Sequence, residues 1–204
     1  MNKKLEILEK VHTLFMRYGI KSVTMDDISR HLGVSKKTLY QYVENKADLI
    51  NQTIENQICN EKIMINSLCE SSVDPIEEML NIARHVSLIL RELNPSVVFD
   101  LQKYYNDSWQ LLRSLQEEHI SGVIEKNIQK GIDLGLYRDN LHPEIIAKMY
   151  VGNSTLIVDV DRFPIREYKT EKVYLEFINY HIHGIASRKG LKLLEKHLQK
   201  NIQA

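Results

Sequence analysis

Apolar positions recur along this chain at helical spacing almost from end to end. Leu8, Val11, Phe15 and Tyr18 fall at i, i+3, i+7 and i+10, one face of a helix over 3–18. Gly19 is placed to end that helix, as a glycine just past the last turn does. Thr24 then reads as an N-cap, with Asp26 and Asp27 in the first turn, where the helix dipole favours negative charge. The short helix it opens, about 24–31, sets Met25, Ile28 and Leu32 on one side. Gly33 makes a tight turn, and Ser35 caps a third short helix, about 35–42, that carries Leu39 and Val43 inward.

The pattern continues at larger scale. A long helix from about 45 to 70 carries Leu49, Ile50, Ile54, Ile58 and Ile65. Pro75, following Asp74, sits well at the first position of a helix running to about Leu93. Asn94-Pro95 breaks it, and another helix covers about 95–105. Asp107 or Ser108 is placed to cap a long helix to about Leu134, which Gly135 ends. Two further helices, about 143–159 and 170–186, precede a shorter one toward the C-terminus. Residues 165–175 alternate somewhat like a strand, and only their context makes them loop and then helix. With four prolines and eight glycines, the composition also favours long helices over many-turned β architecture. The expected fold class is all-α.

Two short helices joined by a glycine turn and braced by a longer helix before them are the pattern of a helix-turn-helix. The second short helix is then the recognition helix, whose N-terminal residues meet base edges in the major groove. It reads Ser35-Lys36-Lys37-Thr38-Leu39-Tyr40-Gln41-Tyr42, and its outward positions are donors of the kind that phosphates and bases accept. The 27 basic and 27 acidic residues cancel over the chain, so any basic surface must come from segregation. It is segregated: residues 1–50 hold nine Lys or Arg against six Asp or Glu, a net of +3, and the remainder is −3. Lys36, Lys37, Arg30 and Lys46 cluster around the recognition helix.

Residues 5–50 resemble the N-terminal domain of the TetR family of transcriptional regulators. The stretches that carry the resemblance are Phe15 with Tyr18-Gly19, Val23-Thr24-Met25-Asp26-Asp27-Ile28, and Leu32-Gly33-Val34-Ser35-Lys36-Lys37-Thr38-Leu39-Tyr40-Gln41-Tyr42-Val43-Glu44-Asn45-Lys46-Ala47-Asp48-Leu49. Two positions depart from the pattern: Lys37 stands where the family often has a small residue, and Val43 where it usually has phenylalanine. The resemblance implies backbone-phosphate contacts for Tyr40 and Lys46, the latter beside the positive end of its helix. It implies a phosphate contact or a cap at Thr24. Ser35, Lys36, Lys37, Thr38 and Gln41 complete the expected DNA-binding set, adenine being the natural partner of a glutamine amide.

The resemblance divides the chain into a DNA-binding domain over 1–46 and a ligand-binding and dimerisation domain over 47–204. The phrase Gly-Leu-Tyr-Arg-Asp-Asn-Leu-His-Pro-Glu at 135–144 resembles a recurring loop of the family more loosely. Helices 143–159 and 170–186 are apolar over more than one face, through Ile145, Ile146, Met149, Tyr150 and Val151 in one and Val173, Leu175, Phe177, Ile178 and Ile182 in the other. A helix apolar on two sides has two burials to satisfy, here its own core and a twofold partner. The resemblance implies a small-molecule pocket among the middle helices, roughly 75–160. Phe99, Tyr104, Tyr105 and Trp109 offer walls, and His85, Asp100, Arg113 and Asn153 offer polar anchors.

No constellation points to catalysis or to a metal. His181 and His183 are two apart, whereas helical metal pairs want three or four. Cys59 and Cys69 are ten apart on one helix, about 15 Å along its axis, too far to pair within the chain. There is no phosphate-cradling glycine loop and no nucleophile elbow. No apolar run approaches the roughly 20 residues that span a bilayer. Glu6, Glu9 and Lys10 interrupt what a signal peptide's apolar core needs, so a cytoplasmic setting is expected. The sequence thus predicts a homodimeric repressor that holds a near-palindromic double-stranded operator and is released by a small-molecule effector, with no cofactor. The competing expectation keeps the DNA head but makes the larger domain a protein-docking or purely dimerising module.

Overall fold

The computed structural model describes residues 3–202, so residues 1, 2, 203 and 204, the outer ends of the two expected domains, lie outside the described residues. Within them the chain is helical throughout: α1 (Lys3–Tyr18), α2 (Met25–Leu32), α3 (Lys36–Leu39), α4 (Lys46–Ser71), α5 (Pro75–Glu92), α6 (Pro95–Tyr104), α7 (Asn106–Ser114), a π-helical segment (Leu115–Ile120), α8 (Ser121–Asp133), α9 (Pro143–Ile157), α10 (Thr170–Ile185) and α11 (Arg188–Ile202). No strand forms among the described residues; one antiparallel bridge pairs Tyr137 with Ala186. Residues 165–169 are turn and loop, and Thr170 opens α10.

These helices gather into two compact units. One comprises the residues up to Lys62 together with Glu92–Leu115, the other Ile63–Arg91 together with the residues from Gln116 onward. The first is larger than a 46-residue head because α1–α3 have one apolar side each and too little area to bury it alone. Its core joins Ile7, Leu8, Val11, Phe15, Ile28, Leu39 and Val43 of the first three helices and their links to Leu49, Ile50 and Ile54 of α4 and to Val97 and Leu101 of α6. Tyr18, expected on the buried face of α1, is instead half-exposed, with the Arg17 guanidinium 5.1 Å from its ring centre. It lies in the last turn, where the chain leaves the core.

The second unit packs Ile76, Met79 and Ala83 of α5, Ile124 and Ile128 of α8, Tyr150 of α9, and Tyr174, Ile178 and Ile182 of α10 into another core. The loop after α8 is locked into it. Leu136 and Arg138 exchange backbone hydrogen bonds with Ser187 and Ile185. Tyr137 is buried, its hydroxyl shared between the Pro75 carbonyl (3.1 Å) and Asn127 Oδ1 (3.0 Å). Its ring lies so close to Gly131 that a Cβ there would come within 2.0 Å of it, so only glycine fits. Asp74 both caps α5, accepting from the Ile76 and Glu77 N–H groups, and accepts from His197 of α11 at 2.8 Å.

The expected cap of the long middle helix is not made. The helix begins at Asn106, Tyr105 stands at the cap without a side-chain hydrogen bond, and neither Asp107 nor Ser108 serves. Ser108 is buried inside the first turn, and its hydroxyl donates to Asn51 Oδ1 of α4.

Candidate nucleic-acid interface

The head is assembled by local hydrogen bonds that the sequence spells out. Thr24 caps α2: its Oγ1 accepts from the Asp27 N–H at 3.2 Å, and Asp27 Oδ2 accepts from the Thr24 N–H at 3.0 Å and from its hydroxyl at 2.6 Å. This reciprocal box satisfies donors that a helix start leaves orphaned, and it holds the Asp27 carboxyl below the usual carboxylate range. Gly33 closes α2 with φ at 67°. Ser35 Oγ then accepts from the Thr38 N–H at 3.0 Å and shares a 2.8 Å hydrogen bond with the Thr38 hydroxyl. The recognition segment is α-helical only over Lys36–Leu39, shorter than the expected 35–42. It continues through Gln41 and Tyr42 in tighter i, i+3 turns, whose N–H groups donate to Thr38 and Leu39.

Leu39 is fully buried and anchors that segment to the head's core. Opposite it, Ser35, Lys36, Lys37, Tyr40 and Gln41 are exposed and Thr38 is half-buried. The structure therefore brings the recognition-segment candidates onto one accessible surface, together with exposed Thr24 at the head of α2. Lys36 is held by Asp26 at 2.7 Å across the turn, which raises its pKa. This exposed pair is worth little and yields readily to a stronger anion.

Lys46 lies differently. Its Nζ donates to the Ile20 carbonyl at 2.7 Å, and burial lowers its pKa. It thus fastens the α1–α2 turn to the start of α4. The same turn is fastened to α6: the Lys21 N–H donates to buried Asp100 Oδ2 at 2.8 Å, Lys21 Nζ donates to the Tyr104 hydroxyl at 2.9 Å, and Asn94 Nδ2 donates to the Arg17 carbonyl at 3.3 Å. Gly19, at φ 81°, holds a backbone conformation that favours glycine and sits against the Ser96 hydroxyl. Sequence spacing gives no sign of this clamp, because every bond joins residues about 80 positions apart.

The residues expected to line a small-molecule pocket divide between the two units. Phe99, Tyr104, Tyr105, Trp109 and Arg113 belong to the first unit, His85 and Asn153 to the second. Tyr105 and Trp109 are half-buried against the head's core. Phe99 and Tyr104 are half-exposed, with the Lys103 ammonium 5.1 and 5.5 Å from their rings. Asn153 lines an open groove of about 520 Å³ between α9 and α10, with Tyr150, Phe177 and His181. His181, whose spacing from His183 excludes a helical metal pair, is the buried histidine of that groove.

Among the described residues no helix is long and apolar enough to cross a membrane. Residues 7–53 match the family described as bacterial regulatory proteins, tetR family. The chain is 26% identical over 187 residues to the Bacillus subtilis HTH-type transcriptional regulator YvaF, covering 89% of this chain and 94% of that one. It is 34% identical over 51 residues to the Staphylococcus epidermidis biofilm operon negative regulator IcaR, covering 25% of this chain and 28% of that one. The fold matches a TetR-family regulator from Agrobacterium tumefaciens with a TM-score of 0.73 at 14% identity, covering 91% and 98% of the two chains. It also matches Bacillus subtilis FadR, solved in complex with stearoyl-CoA, with a TM-score of 0.63 at 15% identity, covering 88% and 97%. The head thus matches the tetR family model, and over most of its length the chain is similar to transcriptional regulators of that fold, with an N-terminal helix-turn-helix and a larger helical C-terminal part.

Proposed function

We propose that the protein is a cytoplasmic homodimeric repressor whose two heads hold a near-palindromic operator and let go when a small molecule binds. The observation that carries the reading is the exposed donor surface of Lys36, Lys37, Thr38, Tyr40 and Gln41 on a segment anchored by Leu39. Thr38 and Gln41 are the base readers; Lys37, Tyr40 and Thr24 hold phosphates. Ser35 shapes the segment through its cap. Lys46 supports DNA binding by fixing the α1–α2 turn, which presents the start of α2. Two copies join through α9 and α10 and place their recognition segments about one turn of duplex, roughly 34–36 Å, or a somewhat larger span apart.

Release follows from the clamp on that same turn. Any ligand that prefers a displaced α6 must break the Asp100 and Tyr104 contacts with Lys21, and so shifts the population away from the DNA-competent head. The FadR structure in complex with stearoyl-CoA supports a small-molecule ligand for a fold of this kind. IcaR, a negative regulator similar over the head, supports the repressing sign.

The test is binding to DNA flanking the protein's own gene, titrated in salt against unrelated DNA. Tight binding that survives the competitor is expected. Equal, salt-labile binding to both DNAs, persisting after refolding to strip any retained effector, would sink the reading.

A further inference from the structure

The end of α1, the turn after it and α6 carry a second cationic surface of the first unit. Arg17, Lys21 and Lys103 are exposed there. So are three rings: Tyr18 is 51% exposed, Phe99 49% and Tyr104 43%. Each cation rests on a ring. The Arg17 guanidinium is 5.1 Å from the centre of Tyr18, the Lys21 ammonium 4.2 Å from that of Tyr104, and the Lys103 ammonium 5.1 and 5.5 Å from those of Phe99 and Tyr104. Such contacts are weak at exposed sites, so they splint the charges without withholding them from a stronger anion. Neither residues 17–22 nor α6 holds a carboxylate except Asp100. Asp100 is buried and engaged by the Lys21 N–H, so it takes no share of the surface.

This patch adjoins the donor surface of the recognition segment. Lys21 lies three residues before Thr24, the exposed cap of α2. Lys46, at the start of α4, donates to the Ile20 carbonyl next to Lys21, and it feels the charges of both Asp27 in α2 and Asp100 in α6. The starts of α2 and α4 and the middle of α6 therefore converge on one turn. Duplex DNA carries one phosphate charge for about every 1.7 Å of its axis, so a duplex seated on Thr24 and the recognition segment offers further anions past its half-site. We propose that Arg17, Lys21 and Lys103 hold backbone phosphates of the duplex flanking each half-site, outside the bases that the recognition segments read. Lysine and arginine at phosphate fix register and carry no base information, so flanking DNA of any sequence serves. Held on rings, the three side chains are partly ordered before DNA arrives, which lowers the entropic cost of binding it. This rests on the operator reading above and enlarges its footprint.

The experiment is fluorescence anisotropy of the full chain with two duplexes cut from the DNA beside its own gene, titrated at several salt concentrations. The short duplex ends at the outermost base pair whose substitution weakens binding. The long one adds about ten base pairs, one helical turn, at each end. The variant is Arg17→Ala with Lys103→Ala. Both side chains are exposed, and neither makes a hydrogen bond of the clamp between the turn and α6, so the variant should fold, which circular dichroism and melting would verify. On the long duplex its salt slope should fall by about two for each head bound, close to one for each lost phosphate contact. On the short duplex variant and wild type should share one slope. Arg17→Glu with Lys103→Glu should go further and leave the long duplex bound no better than the short one. An unchanged slope on the long duplex overturns the proposal, and it is the result that a patch built for an acidic protein would give. An equal fall on both duplexes overturns it too, because the contacts then lie inside the half-site. A wild-type chain that holds the short duplex no better than unrelated DNA of the same length overturns the operator reading itself, and the proposal with it.

Discussion

The two units solve opposite surface problems. The first unit buries the apolar sides of α1–α3 against α4 and α6 and turns donors outward. The second fills its own core and still leaves Ile145, Met149, Leu175 and Tyr180 uncovered. A surface of lysine, threonine and glutamine is at home in water and exchanges water for phosphate. A surface of isoleucine, methionine and tyrosine gains by leaving water altogether. One chain thus presents two surfaces of opposite chemistry.

Leu39→Ala should have the largest effect. It empties a fully buried site beneath the recognition segment and costs about 2–5 kcal/mol. Operator binding should vanish in a mobility-shift assay while sedimentation still reports a dimer; loss of both would show that the units do not stand independently. Next is acid. Burial holds the His181 imidazole down to about 4, below its ordinary value of 6.5. As pH falls the unfolded chain protonates first, so this stability is full above about pH 6.5 and is lost toward pH 4, by on the order of 3 kcal/mol. Urea midpoints across that range should flatten in His181→Phe. His12, held down by burial in the first unit, acts in the same direction and sets the residual slope.

Asp100→Ala should rank third. It strips the acceptor from the Lys21 N–H and should cost about 1–3 kcal/mol in denaturant, with the loss confined to the first unit. Lys37→Ala should weaken specific and unrelated DNA alike and reduce the salt slope by about one, in a fluorescence anisotropy titration. A change in sequence preference instead would move Lys37 from phosphate to base. Lys148→Ala should do least. Its pair with Glu144 is exposed on both sides, and the melting midpoint should hardly move.

How much of this could be read from the residues follows the range of the interactions. Thr24 with Asp27, Ser35 with Thr38, and Gly33 after Leu32 act across three or four positions, so spacing alone reveals them. The two-faced character of α9 and α10 is likewise periodic and was legible. Spacing does not say which helix a face meets. Ser108 looks like a cap until Asn51 is seen beneath it. Tyr105 and Trp109 read as pocket walls, and spacing does not show that they also pack against the head's core. Lys46 looks like a free cation until Ile20 offers its carbonyl. Asp100 was noticed only as a possible ligand anchor, because its partner is the backbone of Lys21. Each of these is a long-range contact between groups that have short-range uses as well.

The π-helical segment at Leu115–Ile120 makes chain length itself carry information. It interrupts what is otherwise one continuous run of helix from Asn106 to Asp133. Each residue added to or taken from a helix rotates everything after it by about 100°. Ile124, Asn127, Ile128 and Gly131 are the buried face of α8. The wider turn takes one residue more than an α-turn for nearly the same rotation, so deleting one residue there would allow ordinary α-helical bonding and leave the phase of Ile124, Asn127 and Ile128 nearly as it is. A deletion between Ile124 and Gly131 has no such slack and would turn one part of the buried face of α8 away from the other. Among homologues, length should therefore vary within Leu115–Ile120 before it varies within α8.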